Sequence, residues 1–388
     1  MARVYLDWNA TAPLRPEPRE AMVAALEAAG NPSSVHAEGR AARRLVDDAR
    51  RRVGALVGAA PADVVFTSGG TEANATALAP GRQGSGPQVL LVSAIEHPSV
   101  LAGGRFAADA VMTLPVDRDG RIDLLALEHQ LAALAQEGRG RALVSLMHAN
   151  NETGVVQPVE AAARIVHAAG GLLHVDAVQT AGRIPCDISG LGADLLTVSG
   201  HKLGGPKGVG ALVRRTDGVN WPRPLITGGG QERGARAGTE NVAAIAGFGA
   251  AAAAAGRELA AERRRLAALR DRLEARLTAA FPQTVVFGAG VERLPNTTLF
   301  ALPGVKAETA VIGLDLDGVA VSSGAACSSG KVGASHVLAA IGVPAPLARG
   351  AVRVSLGYAT QEADVDRFLA AWTRLAQTLS KEQRGIAA

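Results

Sequence analysis

The chain has 388 residues, 48% hydrophobic and 20% charged, with a formal net charge of +4. That length exceeds one compact core and fits two domains of an ordinary globular protein, and its arginines interleave with acids, as in EGRAARRLVDDARRR, which speaks for solvated helix faces against a nucleic-acid stripe. Two cysteines without CxxC or paired Cys/His spacing argue against a disulfide framework or a structural zinc site, and no metal is expected.

The opening MARVYLDWNATAPLRPEP has no apolar run of the signal-peptide kind, and the long uncharged run Asn241 to Gly256 is Ala/Gly-rich and weakly hydrophobic. A cytoplasmic protein that engages neither membrane nor nucleic acid is expected. From about residue 60 to 215 the apolar runs DVVFTS, QVLLVS, RALVSLMH, GLLHVDA, ADLLTVS and GVGALV alternate with Ala/Leu-rich segments. This pattern predicts an α/β fold with a mainly parallel sheet covered on both faces and ligands gathered beyond the strands' C-terminal ends. Past the Ala-rich segment, RELAAERRRLAALRDRLEARLTAAF reads as a long amphipathic helix. Strand-like TVVFG and NTTLFAL, a helix near AETAVIGLDLD, then VAVSS, the strand AVRVSLG and the terminal helix QEADVDRFLAAWTRLAQTLS complete a second domain.

The chemistry-bearing residues fall at the predicted strand ends. In VVFTSGGTEANATAL a strand ends at Gly69 and Gly70 and a helix begins near Thr71, so free N–H groups at a helix N-terminus can hold a phosphate; the same features also make an ordinary connection. His97 in SAIEHPSV and Asn151 in HANNETG offer a ring to stack on a cofactor and an amide to bond its phenolate oxygen, although each alone also fits a structural residue. Asp176 follows the apolar strand of GLLHVDAVQT, where a carboxylate needs a cation; a protonated pyridine nitrogen is one such cation, and a helix-capping role is the alternative. In ADLLTVSGHKLGGPKGVG a buried strand runs into Ser199, Gly200, His201 and Lys202. Only five of the 40 basic residues are lysines, and Lys202 stands where an imine-forming amine would be desolvated, whereas Lys207 reads as a surface lysine. Lysine, aspartate and phosphate cradle are the parts of a pyridoxal 5'-phosphate site. Cys327 in SSGAACSSG lies among small turn formers that suit an accessible, reactive thiol; Cys186 in GRIPCDIS reads as structural.

Together GNPSSVH, HVDAVQT, SGHKLGGPKG, GGGQERGARAGTEN, SSGAACSSG and RVSLG resemble, over residues 4 to about 375, the cysteine desulfurases of the NifS/IscS type, in the class V aminotransferase branch of fold type I pyridoxal phosphate enzymes. The resemblance implies a large domain, residues 12–257, with a mainly parallel seven-stranded sheet, and a smaller α+β domain, residues 1–11 and 258–388, carrying the cysteine loop. It implies that Lys202 holds the cofactor covalently, that Asp176 pairs with its ring nitrogen, and that His97 stacks on the ring and takes part in proton transfer. Asn151 and Gln179 would flank the phenolate oxygen, and Gly70, Thr71, Ser199 and His201 would bind the phosphate. Thr239 would reach the phosphate in the neighbouring subunit of a homodimer. Arg353, with Asn151, would hold the substrate carboxylate in the bidentate manner suited to arginine. Cys327 would be the nucleophile that takes sulfur from L-cysteine, leaving L-alanine and a persulfide for an iron-sulfur scaffold or sulfur carrier. The loop follows the SSGxAC pattern and not RxGHHCA. The chain stops at KEQRGIAA, without the longer tail by which housekeeping members engage a scaffold, so the acceptor stays open. A selenocysteine lyase and a class V aminotransferase are the enzyme alternatives; a non-catalytic sulfur-delivery subunit would not need both Lys202 and Cys327.

Overall fold

The computed structural model describes residues 3–81, 86–216, 218–324 and 335–386. Its strands are β1 (Val4–Tyr5), β2 (Val64–Thr67), β3 (Pro87–Ser93), β4 (Val111–Leu114), β5 (Arg141–Met147), β6 (Leu172–Asp176), β7 (Leu195–Ser199), β8 (Gly210–Arg214), β9 (Val285–Val286), β10 (Thr297–Ala301), β11 (Val319–Ala320), β12 (Ser322–Ser323) and β13 (Val352–Ser355). Its helices are α1 (Pro16–Glu27), α2 (Ala37–Leu56), α3 (Gly70–Ala77), α4 (Pro98–Leu101), α5 (Leu124–Gln136), α6 (Val159–Ala168), α7 (Val242–Ala280), α8 (Ala307–Leu316), α9 (His336–Ala340), α10 (Ala345–Ala348) and α11 (Glu362–Ile386).

Strands β2 to β8 form a seven-stranded sheet in the order β2-β8-β7-β6-β5-β3-β4. It is parallel from β7 through β4, and only β8 runs antiparallel to its neighbours. The inner strands are buried almost throughout, which is why they read as unbroken apolar runs. β4, by contrast, is a half-exposed edge strand of four residues, VMTL. The direction of β8 is absent from its composition, because an antiparallel strand covered on both faces is as apolar as a parallel one. The in-register pairs Met147↔Asp176 and Asp176↔Thr197 bring the C-terminal ends of β5, β6 and β7 level, so side chains at those ends share one edge of the sheet.

Two separate hydrophobic cores share one helix. Ala244, Ile245, Phe248, Ala251, Ala252 and Ala255 of α7 belong to the core around the large sheet. Leu266, Leu269, Leu273 and Leu277 of the same helix belong to the core of the small sheets, beside Phe300, Phe368 and Trp372. The Ala-rich segment and the amphipathic helix, separate in the sequence pattern, are thus one helix of 39 residues. Alanine is the strongest helix former, and Asn241 starts the helix by accepting the Ala244 N–H at 3.1 Å. Gly249 lets it touch α2, since a Cβ there would lie 2.5 Å from Ala49 Cα. Among the described residues α7 is the one helix long and apolar enough to cross a membrane, yet 61% of that window is buried inside the fold.

The small sheet is antiparallel, in the order β12-β13-β10-β9, and β1 pairs with β11 in a parallel ribbon beside it.

The segment between β8 and α7 contains the two non-glycine residues with positive φ among those described, Glu232 (46°) and Arg233 (56°). Such a backbone persists only when its surroundings fix it. Arg50 of α2 does so, with a two-pronged ion pair to Glu232 at 2.6 and 2.7 Å, and the Phe66 N–H donates to the same carboxylate at 3.1 Å. Glu232→Ala leaves the buried Arg50 the Val64 carbonyl at 2.6 Å and, as its remaining carboxylate among the described residues, only the partly exposed Asp47 at 3.8 Å. A loss of about 3 kcal/mol in unfolding free energy is therefore expected in denaturant titration, and a change below about 0.5 kcal/mol would show that the segment holds without the pair.

Candidate active site at the strand ends

From Ser199, at the end of β7, the chain turns through a short 3-10 segment, Gly200–Lys202. Lys202 Nζ donates to the carbonyls of Asn9 and Ala10, the latter at 2.8 Å. That N-terminal segment is itself fixed: Asn9 Nδ2 donates to Thr297 Oγ1 at 2.9 Å and to the Asn151 carbonyl at 3.1 Å, and the Asn9 N–H donates to Ser355 Oγ at 3.0 Å. His201 Nδ1 meets Thr11 Oγ1 at 3.2 Å. Burial, with help from Lys202, Lys207 and Arg183, pulls the His201 pKa down to about 4, so its ring is neutral at pH 7.

Asp176, 7% exposed, ends β6. Its Oδ2 accepts from Asn74 Nδ2 at 2.8 Å and its Oδ1 from the Val178 N–H at 3.0 Å. Both donors are neutral, and among the described residues no lysine or arginine forms an ion pair with this carboxylate. Two residues earlier on the same face of the strand, His174 is buried between Ser145 Oγ (2.8 Å) and Thr197 Oγ1 (3.0 Å), and burial lowers its pKa to about 4. A neutral histidine, bonded at both ring nitrogens, therefore stands beside Asp176 in the strand without supplying a positive charge.

His97 caps α4, its Nδ1 accepting the Ser99 N–H at 3.1 Å and lying 2.8 Å from Ser99 Oγ. An acceptor at Nδ1 places the proton of the neutral ring on Nε2. Burial lowers the His97 pKa; Asp176 opposes this, and Lys202 and His336 add to it. At the start of α3, Gly69 takes φ 156°, and the first N–H groups of the helix have no carbonyl a turn behind them. A Cβ on Gly70 would come within 2.9 Å of Val178 Cγ2, so the bare backbone of this turn is required for its approach to β6's end.

The structure brings Gly70, Thr71, His97, Asn151, Asp176, Gln179, Ser199, His201, Lys202 and Arg353 to the wall of one cavity of about 330 Å³. Thr239 is exposed and does not line it. Cys327 lies outside the described residues. Arg353 is 1% exposed on β13, donating from Nη2 to Asp7 Oδ1 at 2.7 Å and from Nη1 to the Asn151 carbonyl at 3.0 Å. The arginine expected to hold a carboxylate already meets one, that of Asp7. Ser322 Oγ donates to the second Asp7 oxygen at 3.0 Å, and Ser335 Oγ donates to Glu152 Oε2 at 2.5 Å. Burial raises the Glu152 pKa to about 7 against the opposing effects of Ser335 and Arg353. The described chain on each side of Cys327 is thus bonded to residues at or next to the cavity.

Several members of the site were not anticipated. Asn74 stands four residues after Gly70 in GGTEANATAL, hence on the same helical face, and that spacing is a readable signal. Asn9 and Ala10 act through backbone carbonyls, for which the sequence has no sign. Cys186 is buried, 3.7 Å from Thr180 Oγ1 and 3.8 Å from His148 Nδ1, and burial pushes its thiol up to about 12, as suits a structural residue.

A mostly parallel sheet of seven strands with these groups converging beyond its C-terminal edge is fold type I of the pyridoxal phosphate enzymes, and the aminotransferase class-V family model matches residues 4–368. A cysteine desulfurase from Cereibacter sphaeroides is 46% identical over 376 residues, 95% of this chain and 94% of that protein. The cysteine desulfurase IscS of Dictyoglomus turgidum is 41% identical, over 97% of this chain and 95% of its own. The solved structure of a NifS-like protein from Rickettsia africae superposes with a TM-score of 0.88 at 35% identity, covering 97% of this chain and 99% of that one. The chain belongs to the cysteine desulfurase family of the NifS/IscS type.

Proposed function

We propose that this protein is a pyridoxal phosphate-dependent L-cysteine desulfurase that moves the sulfur of L-cysteine onto Cys327. The observation that carries the cofactor assignment is Asp176: a carboxylate 7% exposed, bonded only to neutral donors, facing the same cavity as Lys202. A buried carboxylate without a cation is costly, and a protonated ring nitrogen supplies that cation. The remaining donors fit the rest of the group, with α3's N-terminus, Thr71, Ser199 and His201 for the phosphate, Asn151 and Gln179 for the phenolate oxygen, and His97 for the ring face.

Bound there, pyridoxal phosphate supplies the electron sink that loosens bonds of the amino acid. Lys202 provides the amine that holds the cofactor and, once displaced by substrate, carries a proton at Nζ. His97, neutral with its proton on Nε2, is the second proton carrier at the cavity wall. Arg353 binds the substrate carboxylate after exchanging the Asp7 carboxylate for it, and Asn151 fixes the orientation. The Cys327 thiolate attacks the substrate sulfur; a sulfur–sulfur bond forms and the carbon–sulfur bond breaks. Its electron pair remains with carbon, which takes up a proton to become the methyl group of L-alanine, and Cys327 is left as a persulfide.

The protein acts as a cytoplasmic homodimer, with Thr239 contributing to the partner's phosphate site, and passes its persulfide sulfur to an iron-sulfur scaffold or sulfur carrier. Residues 12–257 are the cofactor-binding domain; residues 1–11 and 258–388 form the small domain that carries Cys327, a division supported by the two cores.

The test is incubation of the purified protein, loaded with pyridoxal phosphate, with L-cysteine. A change in visible absorbance with equal yields of alanine and sulfane sulfur is expected. Pyruvate or glyoxylate chemistry indifferent to Cys327 would make it an aminotransferase, and a strong preference for selenocysteine would make it a lyase. Asp176→Ala is expected to retain cofactor through its phosphate and lysine contacts yet form alanine about a hundredfold more slowly. Near-normal turnover in that variant would place the ring nitrogen elsewhere.

A further inference from the structure

Behind Gln179 lies a residue that the proposed chemistry does not use. Arg183, half-buried four residues further on, donates from Nη1 to the Gln179 side-chain oxygen Oε1 and to the Gln179 carbonyl at 3.0 Å, and from Nη2 to the Trp8 carbonyl at 3.2 Å. All three acceptors are neutral, and among the described residues no carboxylate pairs with this guanidinium. A guanidinium carries donors only, so the Gln179 atom facing it must be the oxygen. The amide nitrogen then points the other way, and Gln179 Nε2 donates to the Asn9 carbonyl at 3.0 Å. That same carbonyl accepts from Lys202 Nζ. Arg183, Gln179, Asn9 and Lys202 therefore form one chain of contacts ending at the amine.

We propose that Arg183 is a positioning residue that locks the Gln179 side-chain amide so that its N–H face, and never its carbonyl, is presented to the group Lys202 holds. The assignment rests on the proposed function, because it concerns the cofactor bound through Lys202. A terminal amide has two orientations of nearly equal shape, related by a half-turn; the Arg183 guanidinium at Oε1 and the Asn9 carbonyl at Nε2 both favour the one seen, and Arg183 is the charged one of the two. With Arg183 in place the N–H donates toward a phenolate oxygen and stabilises its negative form. Without it only the Asn9 carbonyl holds the amide, which then turns its carbonyl inward more readily and favours the protonated form of the Lys202-linked group. The loss of a nearby positive charge acts in the same direction. The other charged and titratable groups facing Lys202 are Asp176, His97 and His201 on the cavity wall, Arg353 with Asp7 from the small-domain side, Lys207 beyond His201, and Arg15, Glu258, Glu262 and Tyr358 around a small second cavity that Lys202 and Arg183 both line. All of them stay the same in the variants below.

The experiment is a pH titration of the visible absorbance of the holoenzyme in wild type, Arg183→Met, Arg183→Lys, Gln179→Ala and the Gln179→Ala/Arg183→Met double variant. Arg183→Met is expected to raise the spectral midpoint by about one pH unit, while Arg183→Lys, which keeps donor and charge, returns close to wild type. In the Gln179→Ala background the further change to Met should add only the smaller part owed to the lost charge, because a residue acting through Gln179 has lost its object. A midpoint unchanged in Arg183→Met overturns the proposal. So does a Met shift of equal size in the Gln179→Ala background, which would mean that charge acts directly. Should Arg183→Met not fold, the Arg183→Lys and Gln179→Ala titrations decide: a Lys midpoint displaced as far as that of Gln179→Ala overturns it. A wild-type protein that takes up no pyridoxal phosphate would instead refute the proposed function, and this assignment with it.

Discussion

Lys202→Ala is expected to abolish alanine formation, by at least about a thousandfold, and to remove the reducible covalent attachment of cofactor. Among the described residues Lys202 is the one lysine lining the cavity; Lys207 and Lys306 are exposed and do not line it. The variant should fold, since it forfeits two hydrogen bonds to the Asn9 and Ala10 carbonyls, about 1 kcal/mol each. Pyridoxal phosphate should still associate through the N-terminus of α3 and Asp176, but borohydride treatment should no longer fix it to the chain. A mass increment that survives reduction and maps to any other lysine would remove Lys202 from its assigned role.

Cys327→Ser is expected to separate binding from sulfur transfer. The groups proposed to hold cofactor and substrate carboxylate are unaltered, so the holoenzyme should still change its spectrum on adding cysteine. Alanine and sulfane sulfur should fall by at least about a hundredfold, because a hydroxyl is a far weaker nucleophile toward sulfur than a thiolate. In the wild type, brief exposure to cysteine should add one sulfur to the peptide containing Cys327. Cys186→Ser is expected to leave turnover near wild type, since that thiol is buried and its pKa is raised to about 12, leaving almost none of it ionised at neutral pH. Label on Cys186, or full activity in Cys327→Ser, would defeat the assignment.

Much of this site is legible in the sequence, because strand ends are marked by an abrupt change from unbroken apolar residues to glycine, histidine, aspartate or lysine. Asp176 and Lys202 are found this way, each at the point where a run stops. The turn proposed to cradle a phosphate is legible for a related reason: two glycines before an apolar helical pattern place free N–H groups at a strand end. The carbonyls of Asn9 and Ala10 are not legible, since every residue has a carbonyl and only the fold selects which ones meet Lys202. Nor is the Asp7–Arg353 pair, whose partners stand 346 residues apart. In the fold, the continuity of α7 is obscured because its first half packs by small size and its second by leucines, two patterns with different periodic signatures on one helix.

The two cores are joined covalently in few places. One is the middle of α7, between Ala255 of the first core and Leu266 of the second. Another is the N-terminal stretch between Leu6, in the small core, and α1, which packs against the large-core end of α7. That stretch contains Asp7, Asn9 and Ala10, the residues that restrain Arg353 and Lys202. A rotation of one core against the other has to be absorbed along these tethers, so it would be felt as tension at the arginine and the amine before any other part of the cavity deformed. The strap that ties the protein together is also its strain gauge: hydrogen exchange at the amides of residues 7–11 should report movement of the small core as faithfully as any probe placed on that core itself.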